Sequence, residues 1–211
     1  HTRLWLVTGV QTCALPTEEM ADWMASLLNV LEINKISYVG HSQGCLVGLE
    51  FAYRYADKLD LLVLINGSLS MKMNPELLQL ALDKNHKAVD LMMDWVHGPL
   101  GQVGGHPVPG LSHIGMGNQL VSANNNGTLG IDFGACDQYE NGEKAASSIT
   151  QPTLCIIGKH DRMTPKKVGI ELASKINNSQ QVIIEDSGHM SILETASETK
   201  NLLKTFFKEN S

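Results

Sequence analysis

The segment ISYVGHSQG, residues Ile36–Gly44, decides the fold of this chain. Its first four residues favour a β-strand, and helical apolar spacing begins after Gly44. Between them, Gly40, Ser42 and Gly44 have the spacing G-x-S-x-G. A turn this tight between a strand and a helix requires small residues on either side of the serine, and it holds the serine hydroxyl exposed in a strained conformation. The segment therefore predicts a strand–serine–helix turn with Ser42 as a nucleophile.

The predicted helix after Ser42 contributes to the same chemistry. Its N-terminus and the backbone N–H of Gln43 would face a negative charge that develops on the oxygen of an attacked carbonyl group. His41, beside the serine, is interpreted as a packing residue of the turn, and it is also a candidate lining residue of a substrate pocket.

Strand-like and helix-like segments alternate on both sides of this turn. Apolar runs of strand length occupy Leu61–Ile65, Thr153–Ile157 and Gln181–Ile184. Such nearly continuous apolar runs are typical of parallel strands that are buried on both faces. Helical spacing starts after Thr17, a predicted N-cap, and returns from about residue 196 to 207. The predicted fold class is α/β, with a mostly parallel sheet flanked by helices.

Length and composition exclude several classes of protein. The chain has 211 residues, which suits one domain, and its 16 basic against 22 acidic residues give a net charge of −6. This balance argues against a nucleic-acid-binding surface. No segment approaches the roughly 18 consecutive apolar residues of a membrane span. We expect a soluble, cytoplasmic, globular protein that binds neither nucleic acid nor membrane, and its oligomeric state is open.

The cysteines and histidines do not form a metal-binding pattern. No two cysteines are spaced C-x-x-C, and we expect free, mostly buried thiols at Cys13, Cys45, Cys136 and Cys155. The histidines of the central region also lack paired ligand spacing and are expected at the surface or along a pocket: His86, His97, His106 and His113. No metal and no cofactor is expected.

The stretch between the second and third apolar runs is much longer than a crossover between parallel strands requires. It contains a predicted helical segment from Pro75 to about Trp95 and a loop rich in glycine and proline over Gly98–Gly117. We predict that residues 71–148 form a helical cap, and that residues 17–70 and 149–211 form the α/β core. Met71 and Trp95 are candidate residues of a substrate pocket beneath this cap.

Two further candidate site residues follow later strand runs. Asp161 lies in GKHDRMTP, residues Gly158–Pro165, and His189 lies in EDSGHM, residues Glu185–Met190. Because parallel strands end at one edge of a sheet, we expect both side chains to lie near Ser42. Taken alone, each of the three residues also has a structural interpretation: Ser42 as a turn serine, Asp161 as a capping aspartate and His189 as a loop histidine.

The motifs GHSQG, GKHDRMTP and DSGHM, in register with alternating strands and helices, resemble those of the α/β-hydrolase superfamily over residues 17–211. The resemblance implies that Ser42 is the nucleophile, His189 the general base and Asp161 the carboxylate that orients the histidine. Some members carry the acid after the preceding strand, but that position is Asn66 here.

The resemblance also implies a reaction. A serine in this superfamily attacks a carbonyl carbon, so the expected activity is hydrolysis of a carboxylic ester or lactone of a small molecule through an acyl-enzyme. A C–C bond hydrolase and a haloperoxidase-like enzyme share the same triad. A catalytically impaired or non-catalytic ligand-binding relative is the alternative from a different class.

The first residues do not look native. Residues 7–16, VTGVQTCALP, resemble the in-frame translation of a sequencing adapter, so we expect residues 1–16 to be a leader. The resemblance to the superfamily then implies that its first strands, and the loop that carries a second oxyanion donor, are missing. One lost donor costs about 10²–10³ in kcat. The strand before Ser42 would become an exposed edge, and this chain would be an impaired fragment of an active enzyme.

Overall fold

Four parallel strands form one sheet in the computed structural model, which describes residues 15–106, 108–123 and 127–210. The strands lie side by side in chain order: β1 (Ile36–His41), β2 (Leu59–Ile65), β3 (Thr153–Gly158) and β4 (Ser179–Ile184). The predicted parallel α/β class is confirmed. Apart from residues 15 and 16, the predicted leader lies outside the described residues, as does Cys13, and its origin stays a prediction.

Eleven α-helices and one short 3₁₀ helix (Ala56–Lys58) accompany these strands in the described residues. The α-helices are, in chain order, α1 (Thr17–Val30), α2 (Gln43–Arg54), α3 (Pro75–Leu82), α4 (Lys87–Val96), α5 (Pro99–Gln102), α6 (His113–Ala123), α7 (Thr128–Gln138), α8 (Gly142–Ser148), α9 (Lys166–Lys175), α10 (Ser191–Glu194) and α11 (Ala196–Glu209).

The sheet is covered on both faces, which explains its unbroken apolar strands. On one face, Leu62 and Leu64 of β2 pack in a cluster with α1, α2, α8 and α9. On the other face, Leu61 and Val63 pack in a cluster with Phe206 of α11. Alternate residues of a strand point to opposite faces, so the part of a strand that lies between two helical layers is apolar at successive positions, as in Leu61–Ile65 of β2.

The register of the sheet aligns the carboxyl ends of its strands. His41 pairs with Ile65, Ile65 pairs with Ile156, and Gly158 pairs with Ile184. The segments that follow the four strands therefore begin at one edge of the sheet. This edge is where the candidate site residues lie.

Helix α1 differs from its prediction in two ways. Thr17 is the first helical residue, and the N-cap position belongs to Pro16, so the predicted N-cap is wrong by one residue. The helix buries Ala21, Ala25 and Leu28, whereas Trp23 stays 45% exposed. Ala21 and Ala25 are small where α1 packs against the core, and Trp23 and Leu27 remain partly exposed.

Helices α3 to α8 lie in the inserted segment, which we define as residues 66–152 between β2 and β3. The predicted helix from Pro75 is broken into α3 and α4 near residues 83–86, and part of the predicted Gly–Pro loop is helical in α5 and α6. Helices α3, α4 and α7 share a hydrophobic cluster of their own. Met163 and Met190, from the core, pack against that cluster.

Strand β1 lies at an edge of the sheet within the described residues, and its Val39 is 44% exposed. Among the described residues, no helix is long and apolar enough to cross a membrane. The boundaries expected for a cap and a core stay a prediction.

Candidate active site

The turn between β1 and α2 presents Ser42 at the carboxyl edge of the sheet. Ser42 has φ 54° and ψ −121°, a conformation that L-amino acids rarely adopt. Its backbone N–H donates to the carbonyl of Ile65 at 3.0 Å, and its own carbonyl accepts from Cys45 at 2.8 Å. These bonds hold the serine between sheet and helix in the strained conformation that the G-x-S-x-G spacing predicts.

The two glycines of the turn are not equivalent. A Cβ on Gly40 would lie 2.4 Å from the carbonyl oxygen of Gly44, a backbone contact that cannot be relieved locally. A Cβ on Gly44 would meet nothing closer than the hydroxyl of Tyr38 at 3.6 Å. The expectation that both positions must be small is therefore correct for Gly40 and wrong for Gly44, whose Cβ direction is open.

His189 lies between Ser42 and Asp161. Its Nε2 is 2.7 Å from the Ser42 hydroxyl, and its Nδ1 is 2.7 Å from Oδ2 of Asp161. A carboxylate only accepts hydrogen bonds, so Nδ1 carries the proton and Nε2 is free to accept the proton of Ser42. The arrangement can convert a serine hydroxyl into a nucleophile without a metal or cofactor.

The carboxyl group of Asp161 is buried and heavily hydrogen-bonded. Oδ1 accepts from the backbone N–H groups of Met163 and Thr164 at 2.8 Å, and Oδ2 accepts from the Thr164 hydroxyl at 2.7 Å. Burial by itself would raise the pKa of Asp161. The hydrogen bond and the charge of His189, together with the bonds from Thr164, lower this pKa by more than burial raises it. The net pKa is below the ordinary value, so Asp161 is a carboxylate at neutral pH.

Asn66 is a further hydrogen-bond donor to the carboxyl group of Asp161. It follows β2 directly, has φ 52°, and is 1% exposed. Its side-chain amide donates to Oδ2 of Asp161 at 2.9 Å and to the carbonyl of Gly188 at 3.2 Å, and its side-chain oxygen accepts from Ser191 at 2.6 Å. The position where some superfamily members carry the acid thus holds a donor to the acid.

His41 contacts the loop that carries His189. Its Nε2 lies 2.7 Å from the carbonyl oxygen of His189, and the two rings are 5.0 Å apart. Burial first, and then the nearby His189, lower the pKa of His41 to about 4. His41 is therefore neutral at physiological pH, and its Nε2–H donates to the carbonyl. This agrees with its interpretation as a packing residue of the turn.

The backbone N–H of Gln43, the first residue of α2, has no acceptor among the described residues. It lies next to the Ser42 hydroxyl at the positive end of a helix, which suits a developing oxyanion. The expected absence of a second donor stays a prediction.

Two cavities meet at Ser42. The larger, of about 770 Å³, is enclosed mainly by apolar side chains of α4, α6 and α7, with three histidines of the inserted segment in its wall: His97, His106 and His113. The smaller, of about 330 Å³, contains Gln43, Met71 and Asp132 in its wall. His41, Ser42 and His189 border both cavities. A substrate carbonyl at Ser42 can therefore place one substituent in each cavity.

The candidate pocket residues are only partly brought together. Met71 and His41 line cavities beside Ser42. Trp95 lines neither of these two cavities and packs instead against the hydrophobic cluster of the inserted segment, so its expected place in the pocket is corrected. Helical spacing marks an apolar face, and Trp95 uses that face for packing between helices. Met92 and Met93, on the same helix, line the larger cavity.

Sequence reasoning did not identify Glu194, Asn66 or Thr164 as parts of the site. Thr164 belongs to the quoted GKHDRMTP motif and Asn66 follows an apolar strand, so their positions carried a weak signal. Glu194 accepts hydrogen bonds from the backbone N–H groups of Gly188 and Met190, on either side of His189, and no pattern in the sequence indicates these contacts. Among the described residues, no group of three or more His, Cys, Asp or Glu side chains is placed to hold a metal ion.

Comparison with known proteins agrees with this geometry. The family model described as alpha/beta hydrolase fold matches residues 11–104 and 117–196, which is more than half of the chain. This chain therefore belongs to the α/β-hydrolase fold family.

Three relatives illustrate the similarity. A protein of Pantoea ananatis named "Putative carbamate hydrolase RutD" is 44% identical over 64 residues, which are 28% of this chain and 23% of that protein. Its namesake from Pseudomonas savastanoi pv. phaseolicola is 28% identical over 203 residues, covering 87% of this chain and 73% of the relative. The solved structure of a thermophilic esterase is 26% identical, with a TM-score of 0.80 over 93% of this chain and 75% of that chain.

Proposed function

We propose that this protein is a serine hydrolase that cleaves a carboxylic ester or lactone of a small molecule through an acyl-enzyme. The observation that carries the proposal is the continuous hydrogen-bonded row from Ser42 through His189 to Asp161, with both distances 2.7 Å. The row ends at two cavities that meet at the serine hydroxyl.

The first half of the proposed reaction forms the acyl-enzyme. The Ser42 oxygen bonds to the substrate carbonyl carbon while its proton passes to Nε2 of His189. The negative charge of the tetrahedral intermediate falls on the former carbonyl oxygen, beside the N–H of Gln43. The C–O bond to the alcohol then breaks, and His189 returns the proton to the leaving oxygen.

The second half uses water. His189 removes a proton from a water molecule that attacks the acyl carbon, and the bond to Ser42 breaks as the serine recovers the proton. Asp161 stays ionised throughout and stabilises the imidazolium that forms twice in the cycle. Its lowered pKa suits that role.

A carbamate is the second candidate substrate class. It presents the same carbonyl carbon to Ser42, and the relatives named carbamate hydrolase favour it. We further propose that residues 71–148 act as a cap over a core of residues 17–70 and 149–211. Helices of that segment enclose most of the larger cavity, which supports a role in substrate binding.

The test is covalent labelling with a fluorophosphonate probe, read by intact mass, on protein shown to be folded by circular dichroism. We expect one adduct in the wild type and none in Ser42→Ala. Ser37→Ala, which changes an exposed serine of strand β1, is the matched control, and this variant should label fully. An adduct that persists in Ser42→Ala, or a folded wild type that does not label, would show the proposal to be wrong. Turnover of butyrate esters against butyl carbamates then separates the two substrate classes.

A further inference from the structure

The smaller cavity beside Ser42 contains a carboxyl group that the proposed reaction does not use. Asp132 lies on α7, and its backbone carbonyl accepts a hydrogen bond of 3.4 Å from the side chain of Gln43, the residue after the nucleophile. This bond places the backbone of Asp132 beside the side chain of Gln43. Asp132 is the only acidic residue among the described residues that line this cavity.

The carboxyl group of Asp132 has no partner within the part of the chain that the structure describes. No described donor lies within hydrogen-bonding distance of its side chain, and neither lysine nor arginine lines the cavity. Its apolar neighbours in the wall include Met73, Leu129 and Phe133. Burial raises the pKa of Asp132, with no nearby cation to offset the effect.

We propose that the smaller cavity is a subsite for a protonated amine carried by the substrate, with Asp132 as its counter-ion. The inference rests on the proposed function and refines its substrate class to amino esters. An ammonium group supplies the positive charge and the N–H donors that the Asp132 carboxyl group lacks, while the methionines and Phe133 accommodate the carbon chain next to it. The cavity of about 330 Å³ has room for an aminoalkyl substituent.

Two neighbouring groups of α7, Cys136 and Asp137, do not compensate the charge of Asp132. Cys136, one turn further along α7, is a buried thiol whose own pKa is raised by burial first and then by Asp132 and Asp137. Asp137 is acidic and accepts the backbone N–H of Met73 at 2.8 Å. Neither group supplies a positive charge to the Asp132 carboxyl group, and a cationic ligand could supply one.

The experiment compares matched esters with and without the charge. On the alcohol side, 2-(dimethylamino)ethyl butyrate is paired with 3-methylbutyl butyrate. On the acyl side, methyl 4-(dimethylamino)butyrate is paired with methyl 5-methylhexanoate. We expect the charged ester of at least one pair to have a kcat/KM about tenfold above its neutral partner, which corresponds to about 1.4 kcal/mol of additional transition-state stabilisation. Asp132→Asn should reduce this ratio to near one.

Asp57→Asn, which changes an exposed acid in the 3₁₀ helix, is the matched control and should keep the wild-type ratio. If Asp132→Asn does not fold, the comparison with this variant is replaced by a measurement on the wild-type protein, namely inhibition of its neutral-ester turnover. Protonated 2-(dimethylamino)ethanol should then inhibit competitively, at least tenfold more strongly than 3-methylbutan-1-ol at matched ionic strength.

The outcomes separate the two proposals. Turnover of the neutral esters with a ratio near one in both wild-type pairs, or an unchanged preference in Asp132→Asn, would overturn the amine subsite and leave the serine hydrolase intact. A folded protein that neither labels with fluorophosphonate nor turns over any ester would overturn the proposed function and this inference with it.

Discussion

The carboxylate of Glu194 accepts a hydrogen bond of 2.8 Å from the backbone N–H of Gly98. Its other oxygen accepts from the backbone N–H groups of Gly188 and Met190 at 3.2 Å. These two residues flank His189, whereas Gly98 follows α4 in the inserted segment. One side chain that is only 1% exposed therefore joins the inserted segment to the loop that carries the candidate general base.

Removing this carboxylate should weaken both stability and reactivity. Glu194→Ala leaves three backbone donors without their acceptor, and an unsatisfied buried donor costs about 1–3 kcal/mol. We expect the free energy of unfolding to fall by at least about 2 kcal/mol in urea denaturation. The rate of fluorophosphonate labelling should fall as well, because the His189 loop loses its support. Glu198→Ala, an exposed residue of α11, should change neither quantity. Unaltered labelling and stability in Glu194→Ala would contradict this account.

The two glycines around Ser42 should respond differently to alanine. Gly40→Ala forces a contact with a backbone oxygen that cannot move without displacing α2, so we expect a loss of several kcal/mol or failure to fold. Gly44→Ala has room for its methyl group and adds helix propensity, so its stability should be unchanged or higher by about 0.5–1 kcal/mol. Urea unfolding of the two variants measures the difference. Equal destabilisation by both would show that the space beside Gly44 is not usable.

Asn66→Asp should make stability depend on pH in a new way. The substitution keeps the side-chain shape but places a second carboxyl group 2.9 Å from Asp161, where an amide donor stood. Two carboxylates this close cannot both be ionised without cost, so one folded-state pKa rises above its unfolded value near 3.9. The protonated form is then favoured in the folded state, and the contribution to stability is lost as pH rises through that raised pKa.

We therefore expect the stability deficit of Asn66→Asp, relative to the wild type, to grow between pH 4 and pH 8. Chemical denaturation across this range measures it. Asn177→Asp, at an exposed position, is the control and should show no such growth. A deficit that is constant with pH would mean that the new carboxyl group does not interact with Asp161.

The lowered pKa of His41 predicts that the protein loses stability in mild acid. Its folded-state pKa is about 4, whereas an unfolded histidine titrates near 6.5. The unfolded chain therefore binds a proton first, and the contribution to stability, complete above pH 6.5, is lost as pH falls from about 6.5 towards 4. Burial also lowers the pKa of His97 to about 4, so His97 contributes with the same sign.

His41→Gln should therefore flatten the dependence of the unfolding free energy on pH between 4 and 6.5 without abolishing it. Removing His97 as well should flatten it further. The measurement is urea denaturation at half-unit steps of pH. A slope in His41→Gln equal to that of the wild type would contradict the assignment of His41 as a neutral, buried donor.

Local sequence was sufficient for the elements that carry the proposed reaction. The turn at Ser42 needs only a strand, a small residue at position 40 and a helix, all of which are visible within nine residues. The order of Ser42, Asp161 and His189 after apolar strands placed them at one edge, because parallel strands must all end there. The parallel class followed for the same reason, since only strands covered on both faces are apolar throughout.

Contacts between distant segments were decided by tertiary structure alone. Asn66 binds Asp161, which lies 95 residues further along the chain, and Glu194 binds Gly98, which lies 96 residues earlier. No spacing in the sequence predicts either contact. Trp95 lies on the same apolar helix as Met92 and Met93, yet only the methionines face the larger cavity. An apolar pattern specifies that a side chain is buried, but the packing of one helix against another determines whether it is buried in a core or beside a substrate.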